Sequence, residues 1–129
     1  MKAIFKPGDQ KQTRYRVKDT DVAAFKGEVV HPVCGTFTLA REIEWATRQF
    51  VLKMRDGDEE GVGTMLTVDH HGPAFVGDEI IFIAWVEQIN GHELICGYEA
   101  RVKDRLIASG KTGQKILKRD KISQLFTNK

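Results

Sequence analysis

At 129 residues with a net charge of +2, the chain is the size of one domain and long enough to bury a core without disulfide or metal staples. Apolar residues make up 41% and charged residues 29%, an ordinary globular balance without the basic excess of a nucleic-acid binder. Two cysteines are too few for a disulfide framework, no apolar run approaches the roughly 18 residues of a membrane span, and "MKAIFKPGDQ" is too short and polar for a secretory leader, so a cytoplasmic protein with reduced thiols and no membrane partner is expected.

In chain order, a turn at Pro7–Asp9 precedes an edge strand over Lys11–Lys18, with Tyr15 and Val17 on one face. Asp19–Pro32 shows no clear period and is expected to be a long loop, of the kind that often carries function. Pro32 should end whatever precedes it. The clearest helix covers Leu39–Met54: Leu39, Ile43, Ala46, Phe50 and Met54 recur at three- or four-residue steps and make one apolar stripe. Thr36 or Thr38 is expected to cap it, and "RDGDEEG" to end it. Four strands follow: Val62–His71, Glu79–Ile89, His92–Lys103 and Leu106–Leu117. Asn90-Gly91 is a hairpin signal, and Asp104-Arg105 marks a second tight turn. Leu94, Cys96, Tyr98, Ala100 and Val102 share one strand face, opposite Glu99, Arg101 and Lys103. The basic tail from Lys118 is expected to fray or form a short end segment.

One long helix followed by an antiparallel meander is an α+β arrangement, helix against sheet. The strand at Glu79–Ile89 is apolar on both faces: Ile80, Phe82, Ala84 and Val86 on one, Ile81, Ile83 and Trp85 on the other. One helix covers one face, so a homodimer or higher oligomer is expected.

Three polar residues stand out. Glu44 shares a helix face with Ala40, Thr47, Arg48 and Val51 and borders the buried stripe; a salt bridge to Arg48 is the plain explanation. His70 has the parity of Leu66 and Val68 and so points toward the core side, while Asp69 and His71 point away; a histidine closing a strand is the plain explanation. Thr36 is explained by capping. His31 and His92 are weaker candidates. Together a threonine, a carboxylate and a histidine supply a nucleophile or water holder, a base and a proton shuttle. There is no phosphate-binding glycine loop or metal-ligand pair at helical spacing, and the neighbours in "DHH" would point to opposite strand faces.

At these residues the sequence resembles the hotdog-fold acyl-CoA thioesterases, in particular the fluoroacetyl-CoA thioesterase-like family. "GTFTLAREIEWA" is similar to the family's segment with a threonine eight residues before Glu-Trp-Ala on the central helix. "GTMLTVDHHGPAFVGD" is similar to its strand with Gly-Thr, a histidine seven residues after the glycine, and a Pro/Gly turn. The match continues weakly through the hairpin to about Ile116. The resemblance implies a hotdog fold, an antiparallel sheet wrapped around one long helix, as a single domain over residues 1–129. It implies catalytic roles for Thr36, Glu44 and His70 and a substrate-side position for Gly63. It also implies a homodimer or dimer of dimers with active sites at the subunit interface, and no metal or organic cofactor. Two departures touch specificity: a substrate-contacting arginine of the family falls on Gln114 here, and the residues before Thr36, which shape the acyl pocket, match poorly. Fluoroacetyl specificity is therefore not implied.

The expected function is hydrolysis of an acyl-CoA thioester to free acid and CoA, with amides at the helix start stabilising the oxyanion. Lys115, Lys118, Arg119 and Lys121 could meet the CoA phosphates, although a solvated tail is the plainer reading. The alternative is a non-catalytic domain that binds acyl-CoA or another small molecule; a bare oligomeric scaffold is a third reading. A hotdog dehydratase would carry an Asp and a spaced His with Asn-Pro between them, which is not found.

Overall fold

In the computed structural model, which describes residues 1–127, the chain runs β1 (Gln10–Arg16), a 3-10 turn (Asp19–Asp21), β2 (Val22–Phe25), β3 (Glu28–Cys34), α1 (Thr36–Met54), β4 (Glu59–Leu66), β5 (Asp69–His70), β6 (Glu79–Asn90), β7 (Glu93–Val102), β8 (Arg105–Lys118) and α2 (Arg119–Thr127). One antiparallel sheet has the order β1-β6-β7-β8-β4, with β5 also pairing with β8. All five strands of that path touch α1, so the sheet curls around the helix. The predicted stripe is the reason: Leu39, Ile43, Ala46, Phe50 and Met54 are buried, joined by Thr47 and Val51. Facing them are Ile80, Phe82, Ala84 and Val86 of β6 and Leu94, Cys96, Tyr98, Ala100 and Val102 of β7, all buried. Phe5 closes the core with its ring edge-on to Phe50, centroids 5.1 Å apart. Among the described residues no helix is long and apolar enough to cross a membrane.

The outer sheet face is less bare than its sequence suggests. Ile81, Ile83 and Trp85 are half-buried. Trp85 lies opposite Gly97 in the β6–β7 ladder, and a Cβ at Gly97 would come within 2.5 Å of the indole. The absent side chain lets the tryptophan lie flat on the sheet.

Several expectations are corrected. The supposed loop Asp19–Pro32 is a 3-10 turn and a hairpin, β2 paired with β3 in a sheet of its own. Lys26 and Gly27, with φ of 51° and 84°, form its two-residue turn. Both strands are largely exposed, so no burial imposes a two-residue period on the sequence. Pro32 sits inside β3, tolerated because a two-stranded sheet consists only of edges.

The strand expected at Val62–His71 begins earlier, at Glu59, and is broken into β4 and β5. At the break, Thr67 donates its N–H to the Lys111 carbonyl, accepts the Lys111 N–H on Oγ1, and accepts the Tyr98 hydroxyl on its carbonyl. Its carbonyl also passes so close over Gly110 that any Cβ there would collide with it.

The two tight turns each shift by one residue. Asn90 pairs with Glu93 and Val102 with Arg105, so the turn centres are Gly91-His92 and Lys103-Asp104. Gly91 and Lys103 carry the positive φ that matches the twist of the flanking strands. The tail forms α2, with no buried residue; the expectation for its last two positions lies outside the described residues.

Because Trp85 occupies the space above Gly97, Gly97→Ala is expected to destabilise the fold by about 1–3 kcal/mol in urea denaturation. In a Trp85→Ala background the same change should cost less than about 1 kcal/mol, a non-additivity that a general strand effect of alanine would not produce.

Candidate active site

The entry to α1 is held from two sides. The Cys34 N–H donates to the Ala74 carbonyl, and the Gly35 N–H to the Asp21 carbonyl. A Cβ on Gly35 would stand 3.2 Å from the Ala23 backbone, so β2 packs tightly against this turn. Gly35 is the N-cap residue and supplies no side-chain cap. The expected threonine cap is therefore corrected. Thr36 is already in the first helical turn, where its hydroxyl is past the position from which a cap reaches the N2 or N3 amide. Thr38 donates instead to the Asp21 carbonyl. The first-turn N–H groups of α1 thus have no side-chain partner among the described residues.

Freed from capping, the Thr36 Oγ1 lies 2.9 Å from His70 Nδ1, a hydrogen bond whose direction follows the imidazole tautomer. His70 is placed by β5, where it pairs with Ala108 of β8. It lies on the helix side of the sheet, as its parity predicts, but it is exposed rather than part of the core. His71 points the other way and bonds Ser109 through Nε2 at 2.8 Å. His31 lies exposed in the outer hairpin and His92 in a turn, so neither joins the site.

Glu44 is eight residues further along α1, about 12 Å along the helix axis. It is exposed rather than desolvated at the stripe's edge, and its expected partner is engaged elsewhere. Arg48 Nη1 donates to Glu60 at 3.0 Å, and Arg55 binds the other oxygen of the same carboxylate. Burial works against ionisation of Glu60, but the Arg48 hydrogen bond, the Gly61 N–H and both guanidinium charges outweigh it and hold the carboxyl below its ordinary range. Among the described residues the Glu44 carboxylate makes no hydrogen bond or ion pair.

Glu44 borders a cavity of about 110 Å³, together with Thr47, Gly63, Thr112 and Gln114. A Cβ on Gly63 would lie 3.8 Å from Glu44 Oε1, so the glycine and the carboxylate are direct neighbours. Two clusters result: Thr36 with His70 at the helix start, and Glu44 with Gly63 and Gln114 two turns on. No hydrogen bond joins them. Thr47 and Thr112 were not singled out as site candidates by sequence. The signal available was parity: Thr112 and Gln114 alternate inward with Ile116, polar residues at core positions of β8.

The two thiols are not candidates for nucleophiles. Burial pushes Cys34 up to about 11 and Cys96 up to about 12, leaving both protonated at neutral pH.

Residues 17–120 match the family described as FlK, fluoroacetyl-CoA-specific thioesterase. Among solved structures, a Thermus thermophilus hypothetical protein of the thioesterase superfamily is 27% identical, with 95% of this chain and 90% of that one covered at a TM-score of 0.90. The fluoroacetyl-CoA thioesterase FlK is 18% identical, with 97% of each chain covered at 0.88. A hot-dog-like protein from Thermanaerovibrio acidaminovorans is 15% identical, with 95% and 91% covered at 0.87. These likenesses show the hotdog fold. No curated protein matches the chain by sequence.

Because Thr36 caps nothing, Thr36→Ala is expected to change the unfolding free energy by less than about 0.5 kcal/mol, against the ~1 kcal/mol lost with a capping threonine. Urea denaturation checks this, and a loss of about 1 kcal/mol or more would return Thr36 to a capping role.

Proposed function

This chain belongs to the fluoroacetyl-CoA-specific thioesterase family, and from that premise we propose that it hydrolyses an acyl-CoA thioester to the free acid and CoA. The observation that carries this reading is the Thr36–His70 hydrogen bond at an uncapped helix N-terminus, with a carboxylate on the same helix that is unpaired among the described residues. The catalytic unit is one hotdog domain over residues 1–129.

The reading assigns roles by position. Glu44 accepts a proton from water, and the resulting hydroxide attacks the thioester carbonyl carbon. The open N–H groups at the start of α1, at the positive end of its dipole, receive the developing oxyanion. When the C–S bond breaks, His70 gives a proton to the departing thiolate, with Thr36 orienting the imidazole. The roughly 12 Å of helix between Thr36 and Glu44 leaves room for a water and a thioester between the two clusters. Side chains on a helix lean toward its N-terminus, so Glu44 leans into that gap.

The same reading includes a homodimer. Phe37 is 92% exposed and Trp45 49%, on the side of α1 that the sheet leaves uncovered, and Phe25 and Phe75 are exposed on the segments flanking the helix start. A second copy over these side chains would exclude water from the site, which strengthens every electrostatic interaction in it.

The assay is thiol release from a panel of acyl-CoAs, with folding of each variant checked by circular dichroism. Glu44→Gln is expected to lower kcat by at least about 100-fold, and Thr36→Ala and His70→Ala by at least about tenfold. Folded variants with wild-type rates would remove those residues from the mechanism, and saturable binding without thiol release would make the chain a binding domain. In sedimentation equilibrium the chain should run at twice its own mass, and Phe37→Asp with Trp45→Glu should return it to monomer. A wild-type monomer that is fully active would end the dimer reading.

A further inference from the structure

The cavity beside Glu44 has a polar floor with an unmet hydrogen-bonding need. Thr112 is 2% exposed and faces the helix from β8, yet its Oγ1 has no hydrogen-bond partner among the described residues. The Cys96 thiol sits opposite it in the ladder and the hydroxyl interacts with it, working against the upward push of burial on the thiol, but sulfur is a weak partner and no hydrogen bond of normal geometry joins the two. A buried hydroxyl left so has lost its hydrogen bonds to water with nothing in return, and a ligand oxygen that meets it recovers that loss. Beside it, Gln114 is also buried, and its Nε2 reaches the Thr47 hydroxyl only at 3.5 Å, the outer limit of a hydrogen bond. The Thr47 hydroxyl donates back to helix carbonyls at 3.3–3.4 Å and keeps its lone pairs to accept from Gln114, so the weakness of that contact lies in its length.

Size and charge restrict what fits. An engineered cavity of ~150 Å³ takes a benzene, so about 110 Å³ holds roughly four heavy atoms. A negatively charged tail is disfavoured: Glu44 stands at the wall, and Arg48 is committed to Glu60. A purely apolar tail would leave the Thr112 hydroxyl without a partner and Gln114 with only its long contact to Thr47. A neutral oxygen on a short chain meets all three conditions.

We propose that this cavity selects short acyl groups bearing a hydroxyl or carbonyl oxygen at the β carbon, recognised by the Thr112 hydroxyl and the Gln114 amide. The proposal rests on the thioesterase reading of the site. From the carbonyl carbon at the mouth near Glu44, a four-carbon chain with one β oxygen places four heavy atoms inside. The Thr112 hydroxyl can donate to or accept from that oxygen, and the Gln114 amide can donate to it.

The test compares kcat/KM for 3-hydroxybutyryl-CoA, butyryl-CoA and octanoyl-CoA in the wild-type chain and in Thr112→Val, which keeps the shape and removes the hydroxyl. The wild type should prefer 3-hydroxybutyryl-CoA over butyryl-CoA by at least about tenfold. Thr112→Val should bring that ratio to within about threefold of unity. It should also melt at the same temperature as the wild type or higher, since it removes an unpaired buried hydroxyl. A preference for butyryl or octanoyl chains, or a ratio unchanged in Thr112→Val, overturns the inference while leaving the thioesterase reading intact. If no acyl-CoA is cleaved, both fall together.

Discussion

The structure depends on the burial of one helical stripe. Leu39, Ile43, Ala46, Phe50, Val51 and Met54 need an apolar surface on several sides, and a flat sheet offers only one. A curled sheet meets them from five strands, with each large side chain contributing about 1.5–3 kcal/mol by leaving water. That demand sets the position of everything else. It puts β4 and β8 alongside the middle of the helix and β5 near its start. Glu44 is thereby brought against Gly63, and His70 against Thr36.

The helix start combines two unusual absences. Gly35 occupies the cap position because Ala23 packs against it, and glycine offers no oxygen to the first amides. A serine or aspartate there would stabilise the helix but would quench the positive end of its dipole. The segment is instead secured through the Asp21 carbonyl, which takes the Gly35 N–H and the Thr38 hydroxyl, while the Asp21 carboxylate takes the Tyr15 hydroxyl at 2.6 Å. Rigidity comes from contacts behind the helix end and leaves its front open to a ligand. The Arg48–Glu60–Arg55 cluster acts similarly two turns on: it draws Arg48 away and leaves the Glu44 carboxylate without a neutralising partner among the described residues.

Polar residues at inward positions carry a cost that an all-apolar core would avoid. Thr47, Thr112 and Gln114 sit where the repeat calls for aliphatic side chains, and their mutual hydrogen bonding is incomplete. Apolar residues at outward positions are the complementary departure. Phe37 and Trp45 face solvent on the helix side that the sheet does not cover. Departures from local pattern of this kind concentrate at functional surfaces.

Much was legible in the sequence itself, because burial writes a period into it. The three- and four-residue recurrence of α1 and the strict alternation of β7 correspond to their buried faces, and two segments that resemble the thioesterase family were enough to indicate a hotdog fold. Where burial was weak, the sequence was silent: the exposed β2–β3 hairpin has no period, and its Lys26-Gly27 turn lacks the usual asparagine or aspartate. The β4–β5 break was equally hidden, since it follows from Thr67 crossing Gly110 on another strand. The identities of Thr36, Glu44 and His70 as candidates came from sequence, but their relations did not. Whether Thr36 caps or faces His70, and whether Glu44 pairs with Arg48 or stands free, turned on contacts between separate segments, 34 residues apart for Thr36 and His70 and 12 for Arg48 and Glu60. Local sequence determines which face of an element is apolar; only the closed sheet determines which polar groups on the remaining faces come within hydrogen-bonding reach.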